Sequence, residues 1–315
     1  MKPLLQFCCL ASLIYMQGCG DSVIKNSTSE PAQAATTSAP KTEIPVPVAT
    51  ANRVIKDEKD LTGYWVGAFR QDSVFSTHEV YMDESEWDTA NKINISIDNI
   101  NGNQVSGHSV DAGNLRPFTG TVDHTGDGYH FVVKEPGDDQ YDGAFNFTIN
   151  TGDSVLSGKW KANQKIKTPV RYYDLVKRYF KYDPNTQVET YRFADTNNRK
   201  KVTVKEEDGT QYQDVEYAMA TGDFAGYNAS KNALTASQLA NLKAADLLVL
   251  RNSIYARHGY TFKKPELRRF FDKQLWYIPV STDVTAELTP IEKQNISLLM
   301  RYEKNAKQYY DTFGR

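Results

Sequence analysis

The chain has 315 residues, with 37 Lys and Arg against 39 Asp and Glu, a net charge of −2, and 40% hydrophobic residues. Its three cysteines are Cys8, Cys9 and Cys19. Everything beyond residue 19 therefore lacks a thiol, which excludes disulfides, thiolate nucleophiles and cysteine-based metal sites there.

Lys2 precedes a mostly apolar run over residues 3–16. That run is shorter than the roughly 20 residues a membrane-spanning helix needs. It ends in Met16-Gln17-Gly18-Cys19, which resembles the lipobox of bacterial lipoproteins, with Met at the usual Leu position. The resemblance implies cleavage before Cys19, diacylation of its sulfur and acylation of the new amino group. Several acyl chains give stable membrane anchoring where one binds only marginally. Residues 1–18 are thus read as a lipoprotein signal peptide and left out of the fold. Gly20 follows the cysteine, which by resemblance to proteobacterial sorting favours the outer membrane. Only Asp21 stands where a surface-display signal of Bacteroidota would carry an acidic run, so the periplasmic and surface faces both stay open. Residues 19–58 read as a flexible tether: they are rich in Ser, Thr, Ala and Pro and hold no aromatic residue. Such a stretch cannot bury enough apolar area to offset its ordering entropy.

From Leu61 the pattern changes. "LTGYWVGAF", "KINISIDNI", "RPFTGTV", "YHFVV", "GAFNFTI" and "VLSGKW" alternate apolar and polar residues, the signature of half-buried strands. Ile93, Ile95 and Ile97 share one face, as do Phe145, Phe147 and Ile149. Asn101-Gly102, Asp127-Gly128 and Thr151-Gly152-Asp153 supply turn signals, since Asn, Asp and Gly tolerate the positive φ of tight hairpins. About eight strands fit between residues 61 and 162, enough to close a small barrel over residues 59–165. Gly63-Tyr64-Trp65 and Gly158-Lys159-Trp160 resemble the Gly-x-Trp feature of lipocalin-like barrels. That resemblance implies a Trp plugging one end and a cavity for a small apolar ligand. The competing reading is an interior filled by its own side chains, because eight strands leave little spare room. Residues 166–230 are read as a β extension bridging two domains, with "VRYYDLVKRYFKYDP" and "VETYRFAD" as strands and a hairpin around Asp208-Gly209.

Residues 231–315 read as helical. Thr235 and Gln238 stand at capping-box spacing. "AADLLVLRNSIYARHG" carries Leu247, Leu250 and Ile254 on one stripe. Pro265 suits a helix start, where its missing N–H is harmless. Thr289, Pro290 and Glu292 repeat the start signal for a last helix. His258 falls on the apolar stripe and Arg257 beside it, while Gly259 stands where a left-handed C-terminal cap is wanted. Two readings follow. In the preferred one, Arg257 and His258 lock the helix end to its neighbours and Gly259 is a structural cap. In the other, Arg251, Tyr255, Arg257, His258 and Tyr277 form an anion-binding notch. "LRNSIYARHGYTFKKPELRRFFDKQLWYIP" followed by "LTPIEKQNISLL" closely resembles the YARHG domain, and the chain from Leu61 onward looks like YARHG lipoproteins of Bacteroidota. The resemblance implies a bacterial extracytoplasmic address and a helical module. It implies no reaction.

Charge divides the chain. Residues 59–165 hold 8 Lys/Arg and 16 Asp/Glu, whereas residues 231–315 hold 14 and 8. The asymmetry provides either two surfaces for two partners or an attraction between the domains. Lys263, Lys264, Arg268, Arg269 and Lys273 form a basic cluster suited to peptidoglycan carboxylates or another anionic envelope polymer, the alternatives being a solvated helix face or docking within the molecule. An envelope address leaves no role for nucleic acid. No nucleophile elbow, His-Glu-x-x-His or phosphate loop is present. "GDDQYDG" at 137–143 has Ile149 where a calcium loop needs its bidentate Glu and reads as an acidic hairpin loop. His78, His108, His124 and His130 are scattered over separate segments, so no metal site or cofactor is expected. Asp83, Glu84, Glu86 and Asp88 offer crowded carboxylates, the raw material of glycosidase chemistry, though such acids in a polar loop are usually just solvated.

The expected molecule is mainly β with a C-terminal α domain: a lipocalin-like antiparallel β-barrel plus a small helical module, on a lipid anchor at Cys19. The leading expectation for its function is non-enzymatic binding in the cell envelope. The alternatives are a carrier of a small apolar ligand and a hydrolase with an unrecognised site.

Overall fold

Eight antiparallel strands close on themselves in chain order: β1 (Gly63–Arg70), β2 (Ala90–Asn101), β3 (Gln104–Asp111), β4 (Asn114–Thr125), β5 (Gly128–Lys134), β6 (Gly143–Asn150), β7 (Val155–Ala162) and β8 (Val170–Arg178). β1 pairs with β2 on one side and β8 on the other, so the sheet keeps no free edge. The computed structural model describes residues 55–71 and 90–309, all belonging to the unit Val46–Arg315. Cys19, His78, Asp83, Glu84, Glu86 and Asp88 lie outside the described residues.

The expected strand content differs in detail. Among the described residues, seven strands lie before residue 162, and the eighth comes from the stretch read as a bridge. The physical reason is parity: Tyr173 and Leu175 sit two residues apart and are both buried in the barrel core, behind a polar lead-in that resembles a domain boundary. "VETYRFAD" forms no strand until Ala194. The hairpin around Asp208-Gly209 does form, as β9 (Ala194–Lys205) and β10 (Gln211–Met219), but it is a separate two-stranded sheet. At the other boundary Ile55, placed in the tether by composition, is fully buried, and its backbone bonds to Gly152 and Asp153 in the β6–β7 turn. The Asp127-Gly128 signal is displaced by one residue: the loop is Gly126-Asp127, with Gly126 at φ 57° and Gly128 opening β5.

The interior is graded along the barrel axis. At one end Trp65 is fully buried, its indole N–H donating to the Leu61 carbonyl at 2.9 Å. Lys177 lies over its ring and also donates to the Asp60 carbonyl. Ile95, Ile97, Ile149 and Leu156 pack in the core toward that end, and a stacked Phe131–Phe147 pair lies at mid-strand. Trp160 stands at the opposite end, edge-on to Phe69. The two Gly-x-Trp tryptophans thus mark the two ends, and only the Trp65 end is plugged.

The helical part comprises α1 (Ala236–Leu239), α2 (Ala244–Arg257), α3 (Pro265–Phe271) and α4 (Pro290–Tyr309). Among the described residues no helix is long and apolar enough to cross a membrane. The capping box of Thr235 and Gln238 opens α1, and Pro265 occupies the first turn of α3. α2 is no amphipathic surface helix: Ala244–Leu250 are buried without a break, so it runs through the core, packed against α4.

Barrel and helices are joined by a polar seam. Along β2 both strand faces are buried, because Ile93 and Ile95 point inward while Lys92 and Asn94 face residues 272–279. The Lys92 backbone N–H donates to Asp272 at 3.0 Å, its ammonium to the carbonyls of Gln274 and Tyr277, and Asn94 to the Pro279 carbonyl. The acidic barrel thus contributes the cation and the basic helical part the carboxylate. Burial pushes Lys92 down and Asp272 up, toward their neutral forms, and their mutual attraction opposes both shifts. The β3–β4 hairpin adds a second contact. Its tip residues Ala112 and Gly113 both have positive φ (50° and 79°). Gly113 donates to the Thr261 hydroxyl at 3.0 Å, and a Cβ there would stand 2.1 Å from Lys263 Cγ.

Candidate functional site

The unplugged end of the barrel holds a cavity of about 490 Å³, within the range typical of small-molecule sites. Its walls come from the strand ends there, from the β7–β8 loop and, through Arg268, from α3. Phe69, Ile93, Phe145 and Trp160 give it an apolar side. The polar side is built by extending the core-facing parity one step past the last apolar residue. Asn91 precedes Ile93, Arg116 precedes Phe118, Glu135 follows Val133 and Arg171 precedes Tyr173, while Asp111 follows the buried Ser109. The strands that make the core therefore also aim five polar side chains into the mouth.

Their partners separate scaffold from free chemistry. Glu135 is buried, and both oxygens are engaged: Ser109 donates at 3.0 Å, the Gly143 N–H at 2.7 Å and the Trp160 indole at 3.1 Å. Burial raises its pKa despite these donors. Arg116 pairs with Asp142 at 3.2 Å. Asp142 in turn accepts from the backbone of Gly137 and Asp139, so the acidic loop at 137–143 is a hairpin clamp. Asp111 is different. Its Oδ1 is buried with no hydrogen-bond partner, and burial raises its pKa against the pull of Arg171, Arg268 and Arg116. Arg171 donates to the Phe69 carbonyl at 3.2 Å and lies 5.1 Å over the Phe69 ring. Burial lowers its pKa, the attraction of Asp111 opposes that shift, and the nearby positive charge of Arg268 adds to it. Arg268 donates to the Lys263 carbonyl, while its Nε is buried and has no partner.

The Arg257-His258-Gly259 stretch is organised in the opposite way. α2 ends in a Schellman cap: Gly259 N–H donates to Ala256 at 2.9 Å and Tyr260 N–H to Tyr255 at 3.0 Å. Gly259 has φ 74°, and a Cβ on it would meet Val280 Cγ2 at 2.4 Å, so two constraints demand glycine. Arg257 is 3% exposed. It donates to the Thr186 carbonyl at 3.0 Å, to the Ser253 hydroxyl at 2.9 Å and to Ser230 at 3.4 Å. Burial lowers its pKa to about 10. His258 stacks on Tyr182 with centroids 4.1 Å apart, and its Nε2 meets Glu292 at 2.8 Å. Glu292 also closes the α4 capping box with Thr289 and accepts from the Tyr182 hydroxyl at 3.1 Å. Burial opposes ionisation of Glu292, but hydrogen bonds from His258, Ser230 and the Thr289 N–H prevail and hold its pKa at about 2. Burial and the Glu292 charge push Tyr182 to about 12.

Residues 223–304 match the YARHG domain family. No curated protein and no solved structure matches the chain. Within that match, Ala256, Arg257, His258 and Gly259 are buried. Of the five residues of the expected notch, Arg257, His258 and Tyr277 are buried, and Tyr277 donates to the Tyr260 carbonyl at 2.8 Å. Arg251 makes a two-pronged ion pair with Glu303. Tyr255 is half-buried, its carbonyl serving the cap. The crevice beside Arg257 measures about 80 Å³, room for two or three waters at about 30 Å³ each.

The basic cluster is split by the fold. Lys263 and Lys264 are exposed, Arg269 is half-buried, Lys273 lies 5.2 Å over the Tyr191 ring, and Arg268 lines the barrel-mouth cavity. His108 pairs with Asp98, His124 stacks on Tyr129, and His130 bonds Asn146. Among the described residues no group of three His, Cys, Asp or Glu side chains could hold a metal ion.

Proposed function

We propose that this is an envelope binding protein, lipid-anchored through Cys19, whose ligand site is the barrel mouth and not the signature motif of the YARHG domain. The carrying observation is the contrast in engagement: a cavity of about 490 Å³ with Asp111 Oδ1 and Arg268 Nε lacking partners, against a motif whose side chains are held by interior partners. A binding role is favoured over hydrolysis by the state of the two cavity acids. Glu135 has both oxygens held by scaffold donors, leaving Asp111 as the one acid with an open oxygen, whereas acid–base hydrolysis of a glycoside uses a pair. The anchor is supported by the Gly18-Cys19 junction behind an apolar run. The expected ligand is modified accordingly: its site is half apolar and half charged, so a purely apolar guest would leave the arginines desolvated and unpaired.

Thr168→Trp tests the site. Thr168 lines the mouth from the β7–β8 loop, so an indole there fills the cavity without touching a strand. A dye with an apolar ring system and a sulfonate, 8-anilinonaphthalene-1-sulfonate, should bind the wild-type chain saturably at one site and the variant hardly at all. Equal binding to both chains would place the dye elsewhere and remove the support for a barrel-mouth site. Cys19→Ala should release the protein from the membrane fraction or leave it unprocessed. Normal maturation and membrane retention of that variant would rule out the anchor.

A further inference from the structure

We infer that the ligand carries an anionic group, a carboxylate or phosphate, and that this group bridges Arg171 of the barrel and Arg268 of the YARHG domain, so that neither part alone makes the site. The inference rests on the barrel-mouth reading above and gives it a ligand class. It follows from subtracting the engaged charges. Arg116 is neutralised by Asp142, and Glu135 is enclosed by three donors. Arg171, Arg268 and the exposed rim residue Lys167 then face the single carboxyl of Asp111. The surplus is positive. Both arginines line the cavity, Arg268 near enough to disfavour the charge of Arg171, and an anion seated between them relieves that repulsion while using the forked donors that suit carboxylates and phosphates.

Geometry gives the same answer. Arg171 is fixed by its carbonyl contact and by the Phe69 face, so its remaining donors are pre-aimed. Arg268 reaches the cavity from α3, and α3 is held to the barrel by the Lys92–Asp272 seam and the Gly113–Thr261 bond. Phe69, Phe145 and Trp160 form the apolar side, which suits a flat hydrophobic body. The ligand is therefore amphipathic, with its charged end toward the seam between the domains.

Three probes share one ring and differ in charge: phenyl phosphate, benzyl alcohol and benzylamine. Each is titrated into the full chain, with intrinsic tryptophan fluorescence and thermal shift as readouts. Phenyl phosphate should bind tightest and benzylamine weakest. Arg268→Gln should weaken phenyl phosphate about tenfold, as loss of a charge-assisted contact does, and should leave benzyl alcohol unchanged. Asp111→Asn should act in the opposite direction and tighten phenyl phosphate several-fold by removing a like charge. Opposite signs from two variants exclude a simple loss of folding. Binding of benzyl alcohol or benzylamine without preference for phenyl phosphate would overturn the anionic assignment and leave the barrel-mouth reading standing. Unchanged phenyl phosphate affinity in Arg268→Gln would overturn the bridging role. Failure of all three probes would overturn both readings.

Discussion

Arg257 is buried and Arg171 half-buried, and their surroundings give them different work. Arg257 has three oxygen partners and a crevice of about 80 Å³ beside it. Arg171 has one carbonyl, an aromatic face, the Asp111 carboxyl and a second arginine nearby, and about 490 Å³ in front of it. A buried cation satisfied on every side is a strut, because removing it orphans its partners. A half-buried cation with few partners and open volume in front of it keeps donors available. Of the two regions, the one with a recognisable motif is thus the internally satisfied one, and the region without a motif is the one that leaves polar atoms without partners.

The largest effect that can break this comparison belongs to Gly259→Val. It combines a strained positive φ with a 2.4 Å approach to Val280, two terms of about 1–3 kcal/mol each. Urea denaturation should show a loss of about 3–5 kcal/mol with the barrel-mouth site unaltered in whatever protein remains folded. A loss below about 1 kcal/mol would mean that the cap is not a constraint.

Next in size is the His258–Glu292–Tyr182 cluster. Glu292 ionises at about 2, against an ordinary 4.5, so the folded chain holds that proton more weakly than the unfolded chain. Its stabilisation is complete above about pH 4.5 and is lost as pH falls toward 2. Melting temperature followed by circular dichroism should decline through that window. Glu292→Gln should cost about 2 kcal/mol at neutral pH and flatten the decline. The same acid profile in wild type and variant would detach the cluster from stability.

Trp160 sharpens the comparison because within the barrel mouth it both lines the cavity and holds Glu135. Trp160→Phe keeps the ring contact with Phe69 but removes the donor to Glu135, which should cost about 1 kcal/mol. Ring-bearing probes should bind more weakly to it as well. If neither stability nor binding moves, Glu135 is not held as described.

The smallest effect expected is on the stability of Thr168→Trp, about 0.5 kcal/mol or less for a loop position, although binding should be lost. A strongly destabilised Thr168→Trp would show that the mouth is structural after all.

Much of the fold was legible because period-two alternation is a direct consequence of a sheet with one buried face. Ile93, Ile95 and Ile97, and Phe145, Phe147 and Ile149, point where the alternation places them. β8 was assigned to the wrong body because Tyr173 and Leu175 continue the pattern beyond a polar gap, and a gap of that kind in sequence does not distinguish a long loop from a domain boundary. The seam was hidden because Lys92 and Asn94 occupy the outward parity, where polar residues normally meet water. Only the fold shows that residues 272–279 cover them. The cap at Gly259 was readable from local spacing, since a Schellman motif is built within one helical turn. The cavity was not, because its residues come from separate strands, the β7–β8 loop and α3, spanning residues 69–268. A trace existed: Asn91, Asp111, Arg116, Glu135 and Arg171 are polar residues on core-facing parity at strand ends, and that pattern marks a barrel with a chemically lined mouth. The cluster Lys263, Lys264, Arg268, Arg269 and Lys273 looked like one face because neighbours in sequence share a sign, but α3 turns Arg268 inward toward the barrel.

The most direct measurement compares urea unfolding of Arg257→Ala and Arg268→Gln in the full chain, side by side. Arg257→Ala should lose about 3 kcal/mol, as expected when a buried charge is removed from its partners. Arg268→Gln should cost about 1 kcal/mol or less, because it removes one carbonyl contact and sets the lost attraction to Asp111 against the relieved repulsion from Arg171. The reverse order, a stable Arg257→Ala and a crippled Arg268→Gln, would contradict the assignment of the motif to structure and the barrel mouth to binding.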